Sequence, residues 1–339
     1  MHALFDTLPP AASQPIRLAP LEGWRPFAAQ GADAAAFLHG QLTNDVEGLN
    51  AENSRWTGYC TAKGRLLATL LIWRGAPEAD AAADAVAAPI YGMMRADLFE
   101  PVLKRLSMFI LRAKCKLLPV DLNLAGVSLN PDALASASQA AGGALPTAAW
   151  ARTDLPSGTW IAAPSATAEH RYWWISTPEQ LASAGAPLFA LAGRADTDAW
   201  LGADLAAGLP WIAAATQDVF IPQTVNLDLI DGVSFTKGCY PGQEVVARSH
   251  YRGTVKRRMA FGTISASEAP SASTLPGTDI YDASAPNEPC GRVVDAAGTA
   301  TLSLLFETTL ASLPAGDLRL NAPDGPQITL VDLPYALVA

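Results

Sequence analysis

The sequence is short of charge. Asp, Glu, Lys and Arg make up 16% of its 339 residues, and acids outnumber bases by 32 to 23. A net charge of −9 gives no global attraction to nucleic acid or anionic membrane, so any polyanion contact must come from a local basic patch. Long apolar runs are also missing. The strongest, Leu66 to Trp73, falls far short of the ~20 residues needed to span a bilayer. Cysteine is scarce and scattered: Cys60, Cys115, Cys239 and Cys290 form no CxxC pair. That excludes zinc-site spacing and a disulfide scaffold, and fits a reducing compartment. No GxxxxGK[ST] phosphate loop is present. Met1 to Pro10 carry no Lys or Arg and no long apolar stretch, so no secretory signal is expected and the expected location is the cytoplasm.

Half of the residues are apolar, which supplies more than one core at this length. Leu21 to Gln30 reads as an extended segment. After Gly31 a short helix is expected, with Asp33 as N-cap and Ala34, Phe37, Leu38 and Leu42 apolar at helical spacing. Trp56 to Cys60 and Leu66 to Trp73 flank Thr61-Ala62-Lys63-Gly64-Arg65, a hairpin signal in which Gly64 supplies the positive φ of the turn. Gly75 to Pro89, rich in Ala and Asp, reads as an exposed loop.

Arg95 to Leu106 has helical periodicity, and Phe109 to Val120 reads as a strand with Arg112, Lys114 and Lys116 on one face. That face is either solvated or an anion-binding wall. Beyond about Gly253, short strand-like runs alternate with turns: Met259 to Ile264, Arg292 to Val294, Ala300 to Phe306 and Gln327 to Val331. The pattern predicts a small β-barrel after an α+β region. The expected segments are 1–125, 126–252 and 253–339.

Chemistry concentrates in Lys237 to Arg258. Six bases (Lys237, Arg248, Arg252, Lys256, Arg257, Arg258) stand there against one acid, Glu244. Clustered like charges repel, so an anionic ligand or a solvated basic turn must accommodate them. Cys239 lies between Gly238 and Tyr240, with Pro241 and Gly242 following, an irregular backbone able to present sulfur at a surface. Nearby cations favour thiolate, which makes a functional thiol the alternative to an inert one. Gly238, Gly242 and Gly253 are either plain turns or permit close ligand approach to backbone N–H groups. Glu244 opens Val245-Val246-Ala247, a helix or strand start, as a first-turn acid or an i+4 partner for Arg248.

Lys237-Gly238-Cys239-Tyr240-Pro241-Gly242-Gln243-Glu244 resembles the K-G-C-[YF]-x-G-Q-E signature of the YgfZ family. Ile221-Pro222-Gln223 with Asn226-Leu227 is similar to the family's IPQ…NL segment, and Phe37 to Asp45 to its FLxGQxTND element. Ala62-Lys63-Gly64-Arg65 and Tyr251-Arg252-Gly253 match as well, all in family order.

The resemblance implies an α+β fold like that of the glycine-cleavage T-protein (aminomethyltransferase), a folate-binding fold with a C-terminal β-barrel. It implies tetrahydrofolate as ligand and a role in assembling or repairing iron–sulfur proteins, including tRNA-modifying enzymes. Cys239 transfers as the key thiol and a transient cluster ligand at most. Lys237, Gly238, Tyr240, Gly242, Gln243 and Glu244 transfer as its motif. Gln223, Asn226, Arg248, Arg252 and Asn44 are the residues marked for folate or an anion.

Partners would be iron–sulfur client or assembly proteins, with tRNA-modifying enzymes reached indirectly. Neither a membrane nor direct nucleic-acid binding is expected, since the basic segment lacks interleaved aromatics. Two departures bear on the alternative, a folate-dependent one-carbon transferase. Ala68 and Thr69 stand where aminomethyltransferases carry an Asp-Asp pair, and Ala206-Ala207-Gly208 stands where they carry an EAG triplet. The first removes the carboxylate of the glycine-cleavage reaction. The second removes a charge-assisted hydrogen bond of roughly 1.5–3 kcal/mol.

Overall fold

The computed structural model describes residues 3–11, 14–76, 88–251, 255–314 and 316–338. In chain order come β1 (Ile16–Pro20), β2 (Trp24–Gln30), α1 (Ala34–His39), β3 (Ser54–Cys60), β4 (Leu66–Arg74), β5 (Ile90–Arg95) and α2 (Ala96–Ser107). Next are β6 (Lys116–Pro119), β7 (Asn123–Leu129), α3 (Leu134–Ala141), β8 (Arg152–Leu155), β9 (Gly158–Ala163) and β10 (His170–Ser176). Then follow α4 (Pro178–Ala182), α5 (Ala186–Leu191), β11 (Ala192–Arg194), α6 (Thr197–Ala206) and α7 (Gln243–Tyr251). The chain ends in β12 (Arg257–Ser265), β13 (Asp279–Asp282), β14 (Gly291–Ala297), β15 (Thr301–Thr309), β16 (Leu318–Leu320) and β17 (Thr329–Val331).

These elements pack as two units that interleave along the chain. One is Met1–Leu38, Val46–Arg55 and Leu71–Trp200; the other is His39–Asp45, Trp56–Leu70 and Leu201–Ala339. This partition differs from the sequential segments that composition marks off at 125 and 252.

In the first unit a six-stranded sheet runs β11-β1-β7-β10-β9-β8. Its β10 is buried at nearly every position, so it reads as a continuous apolar run and not as an alternation. Trp160 and Trp174 stack at 5.3 Å within that core, with Ile16, Leu18 and Val127 around them. Beside this sheet, β2 pairs antiparallel with β5 and β6. The amphipathic α2 follows β5, burying Leu98, Phe99, Val102 and Leu106 on one face at helical spacing.

The second unit holds the expected hairpin. Thr61 N donates to Arg65 O and Gly64 N to Thr61 O, with Gly64 at φ 73°. Its barrel sheet runs β16-β13-β14-β15-β12-β17. β12 and β15 pair over nine residues, from Arg257↔Thr309 to Ser265↔Thr301. Ile328 N donates to Leu318 O and Leu320 N to Pro326 O, so main-chain pairing joins β16 to the segment leading into β17 and partly closes the sheet. Inward residues such as Ile280, Leu304, Phe306 and Leu320 fill the interior.

The strand over Phe109 to Val120 is confined to Lys116–Pro119, and residues 109–115 are turns and bends. Arg112, Lys114 and Lys116 are all exposed. β6 pairs only with β2, and its residues are half-buried at most, so no buried face fixes a longer strand. Most of the loop expected over Gly75 to Pro89, namely 77–87, lies outside the described residues. So do Arg252 and Gly253.

Candidate functional site

The segment 221–251 of the second unit is built by polar side chains spent on backbone. The turn Pro222–Val225 ends at Asn226, which adopts a left-handed conformation at φ 59°. Asn226 Nδ2 donates to Met259 O at 2.8 Å, and its Oδ1 accepts from Met259 N at 3.2 Å. One side chain thus satisfies both main-chain groups of a barrel residue and ties the turn to β12. Gln223 is fully buried, and its Nε2 donates to Val246 O in α7 at 2.6 Å.

A second set of ties comes from the Thr43-Asn44-Asp45 turn. Thr43 Oγ1 donates to Gly232 O at 2.7 Å and accepts from Gly58 N at 2.8 Å. Asn44 Nδ2 donates to Trp56 O and Asp231 O. Ser234 N donates to Thr43 O at 2.9 Å. The turn therefore staples the loop that carries the cysteine to strand β3. Asn44, Gln223 and Asn226 are three of the residues expected to hold folate or an anion. All three are buried with their amides engaged internally; only Gln223 Oε1 has no partner, and it too is buried.

From Gly232 the loop runs to Cys239, held at three points. Phe235 stacks on His250 at 3.7 Å between centroids, near the end of α7. Lys237 Nζ donates to His39 O and Leu42 O, carbonyls at and beyond the end of α1, where a cation is electrostatically favoured. The same ammonium lies 4.6 Å over the Tyr240 ring, which is buried. Burial, with the nearby Cys60 thiol a smaller cause, pushes the Tyr240 phenol well up, so the ring is neutral.

The third point is Gly242, at φ 83°. A Cβ there would sit 2.4 Å from Thr61 O and 2.6 Å from Gly64 Cα. Hairpin turn and helix start thus meet backbone to backbone, which answers what Gly242 is for. Gly238 differs: a Cβ there would meet only His39 Nε2, at an ordinary 3.8 Å.

Between these anchors Cys239 is exposed. The other thiols are withdrawn. Cys60 and Cys115 are buried and Cys290 is half-buried against the barrel core. Burial raises the Cys60 thiol far above its ordinary range, and burial together with Asp33 pushes Cys115 up to about 11. The motif cysteine is the one of the four that is exposed.

Two of the six bases are neutralised from within. Arg258, almost fully buried, pairs with Asp228 at 2.6 Å, and Arg257 with Glu307 at 2.8 Å. Lys237 is caged by carbonyls. Arg248 and Lys256 remain exposed. Glu244 and Gln243 open α7, with Glu244 the exposed acid of its first turn. Thr69 is likewise structural: its hydroxyl donates to Pro210 O and accepts from Ile212 N. No group of three or more His, Cys, Asp or Glu side chains able to hold a metal occurs among the described residues. Nor is any helix among them long and apolar enough to cross a membrane.

Sequence reasoning passed over His39 and Asp45. His39 Nδ1 lies 3.2 Å from Asp45 Oδ1. Both residues sit inside the FLxGQxTND-like element, but nothing in that string signals that it meets a loop some 200 residues on.

No family model matches the chain. It is 32% identical over 351 residues to the tRNA-modifying protein YgfZ of Edwardsiella ictaluri, covering 99% of this chain and 98% of that one. It is 34% identical over 278 residues to the YgfZ of Yersinia pseudotuberculosis, covering 80% of this chain and 78% of the relative. Among solved structures it is similar to the glycine cleavage system aminomethyltransferase T of Bartonella henselae. That likeness has a TM-score of 0.68 at 15% identity, over 98% of this chain and 88% of the other. The fold is therefore that of the aminomethyltransferase, and with identities above 30% across most of both chains, the protein belongs to the YgfZ family.

Proposed function

We propose that the protein is a cytoplasmic folate-binding accessory factor that assembles or repairs iron–sulfur proteins, including tRNA-modifying enzymes, and that it acts through the Cys239 thiol. One observation carries the proposal: Cys239 is the exposed thiol of the chain, in a loop pinned at Phe235, Lys237 and Gly242. The relatives' name supports the link to tRNA modification.

A resident cluster would need about four protein ligands, and one thiol cannot provide them. The cluster is therefore cargo or substrate that Cys239 touches transiently while a client protein supplies the other ligands. Tetrahydrofolate is the proposed small-molecule ligand. The buried amides of Asn44 and Asn226 do not fit it, because hydrogen bonds within the protein already occupy them, and Gln223, whose Nε2 is spent on Val246 O, offers only a buried Oε1. Exposed Arg248 fits an anionic group such as a glutamate tail. The one-carbon transferase reading is disfavoured because Thr69 is locked to the 210–212 segment and offers no carboxylate.

In a strain lacking its own copy, Cys239→Ala is expected to abolish rescue of iron–sulfur-dependent tRNA modification, read by mass spectrometry of tRNA nucleosides. Its melting temperature should stay within about 1 °C of the wild type, since an exposed side chain contributes little to stability. Full rescue by a folded Cys239→Ala protein would end the proposal.

A further inference from the structure

We propose that residues 104–118 of the first unit form a docking surface for an anionic lipid bilayer, with Met108 to Leu111 as the tip that enters it. Nine large apolar side chains stand exposed among the described residues, and four of them, Met108, Phe109, Leu111 and Leu118, fall within this one segment. Leu111 is 86% exposed and Met108 70%, the two highest values of the nine. Lys104, Arg105, Arg112, Lys114 and Lys116 surround them, all exposed, and no acid occurs between Glu100 and Asp121. Arg257 and Arg258 each pair with a carboxylate; none of these five side chains does so among the described residues.

The tip is held in place at both ends. Met108 N donates to Lys104 O, Phe109 N to Leu106 O and Ile110 N to Ser107 O, so tight turns continue the chain beyond α2. On the far side Asp33 Oδ2 accepts from Lys114 N at 2.7 Å, and Asp33 N donates to Lys114 O at 3.1 Å. A Cβ on Gly31 would lie 2.1 Å from Lys114 O, so the chain is also seated closely against Gly31. Leu106 and Cys115, on either side of the tip, are buried. An anchored segment therefore presents its largest apolar groups to water, an arrangement that marks a contact surface.

The charge selects the occupant. A second copy is disfavoured, because a two-fold contact would set these five bases against the same five. Nucleic acid would engage the bases but leave Met108 and Leu111 in water, since only Phe109 among the tip residues can stack on a base. The apolar patch covers on the order of a few hundred Å², short of the ~800 Å² that each partner of a stable protein complex buries. A bilayer needs neither that area nor a matching shape. Its acyl region receives the apolar tip while lipid phosphates meet the bases around it. Lys116 also blunts the open edge of β6, but edge protection does not account for apolar groups at the tip. The net charge of −9 does not oppose the contact, because charges farther away than ~8 Å are largely screened at physiological salt.

The test is co-sedimentation of the full chain with phosphatidylglycerol–phosphatidylcholine vesicles and with pure phosphatidylcholine vesicles. Binding to the anionic vesicles should be about tenfold stronger or more, and should weaken as salt rises. Met108→Ser with Leu111→Ser should cut that binding about tenfold and leave its salt dependence in place. Arg112→Gln, Lys114→Gln and Lys116→Gln together should cut it by at least about tenfold and flatten the salt dependence. All five side chains are exposed, so melting temperatures should stay within about 1 °C of the wild type.

The wild type alone can overturn the proposal, by binding neither vesicle or both equally. Anionic binding that survives the loss of Met108 and Leu111 also overturns it, since the contact would then be electrostatic only. A parallel titration with a tRNA transcript covers nucleic acid. Tighter binding to the transcript than to vesicles, unchanged by the two serine substitutions, would assign the bases to RNA instead. Binding to neither vesicles nor transcript would leave the patch to an acidic protein. No arm of the experiment involves Cys239, so its outcome and that of the cellular rescue are read separately.

Discussion

Replacing Arg258 with methionine is expected to cost about 3–5 kcal/mol of stability, the range for removing one partner of a buried ion pair. The guanidinium is almost fully buried. It donates to Asp228 Oδ1 at 2.6 Å, to Gln223 O at 2.9 Å and, through Nε, to Val338 O at 2.9 Å. Methionine would fill much of the volume yet leave the Asp228 carboxylate and two carbonyls without their donor. The penalty arises from that stranded charge and not from lost attraction, so it should be largely reversible. Arg258→Met with Asp228→Leu is expected to recover more than half of the loss, because neither charge is then buried. Denaturant unfolding of the three proteins checks both statements. A cost below about 1 kcal/mol for Arg258→Met alone would mean that water reaches the pair. Such a result would also restore Arg258 as a candidate anion contact, the role its place in the basic cluster first suggested.

That contrast shows which parts of the molecule the sequence could reveal. Features decided by neighbours in the chain were legible. The hairpin around Gly64, helix α2 and the barrel strands each follow from local periodicity and turn chemistry, and all are present. The supposed strand over Phe109 to Val120 went wrong for a local reason too. Alternating bases imitate a two-residue period, but only a buried opposite face fixes a strand, and there Leu111 and Leu118 are exposed. What a polar side chain serves was not legible. Asn44 meets Asp231 across 187 residues and Asn226 meets Met259 across 33, and no motif distinguishes an amide that binds a ligand from one that holds the main chain. The same distance hid the ion pairs that neutralise Arg257 and Arg258, so a cluster of bases read as a call for an anion. It also hid His39. The motif cysteine itself was legible because glycine on one side and Pro-Gly on the other describe an exposed bend without reference to anything remote.

The motif glycines provide the sharper experiment, because they look alike in sequence and differ in space. Gly242→Ala is expected to be among the most disruptive single-carbon changes in the second unit. Its φ of 83° belongs to the left-handed region, which costs a side-chain-bearing residue roughly 1–2 kcal/mol. The added carbon would then lie 2.4 Å from Thr61 O and 2.7 Å from Gly64 N, both backbone atoms of the hairpin turn. Neither can rotate aside, so the turn and the start of α7 must separate, and a total loss of about 3–5 kcal/mol is expected, in the upper range for point changes. Gly64→Ala should repeat the effect from the other side, since its Cβ would meet Val245 Cβ at 2.8 Å at a φ of 73°. Gly238→Ala is the control. Its nearest neighbour, His39 Nε2, is at an ordinary 3.8 Å and its φ is not left-handed, so stability should change by less than about 0.5 kcal/mol. Thermal and denaturant unfolding read these differences directly. Equal costs at Gly238 and Gly242 would refute the docking of turn on helix that holds Cys239 at the surface. The expected split means that one glycine builds the loop's anchor by close backbone packing while the other has no neighbour that a methyl group would displace.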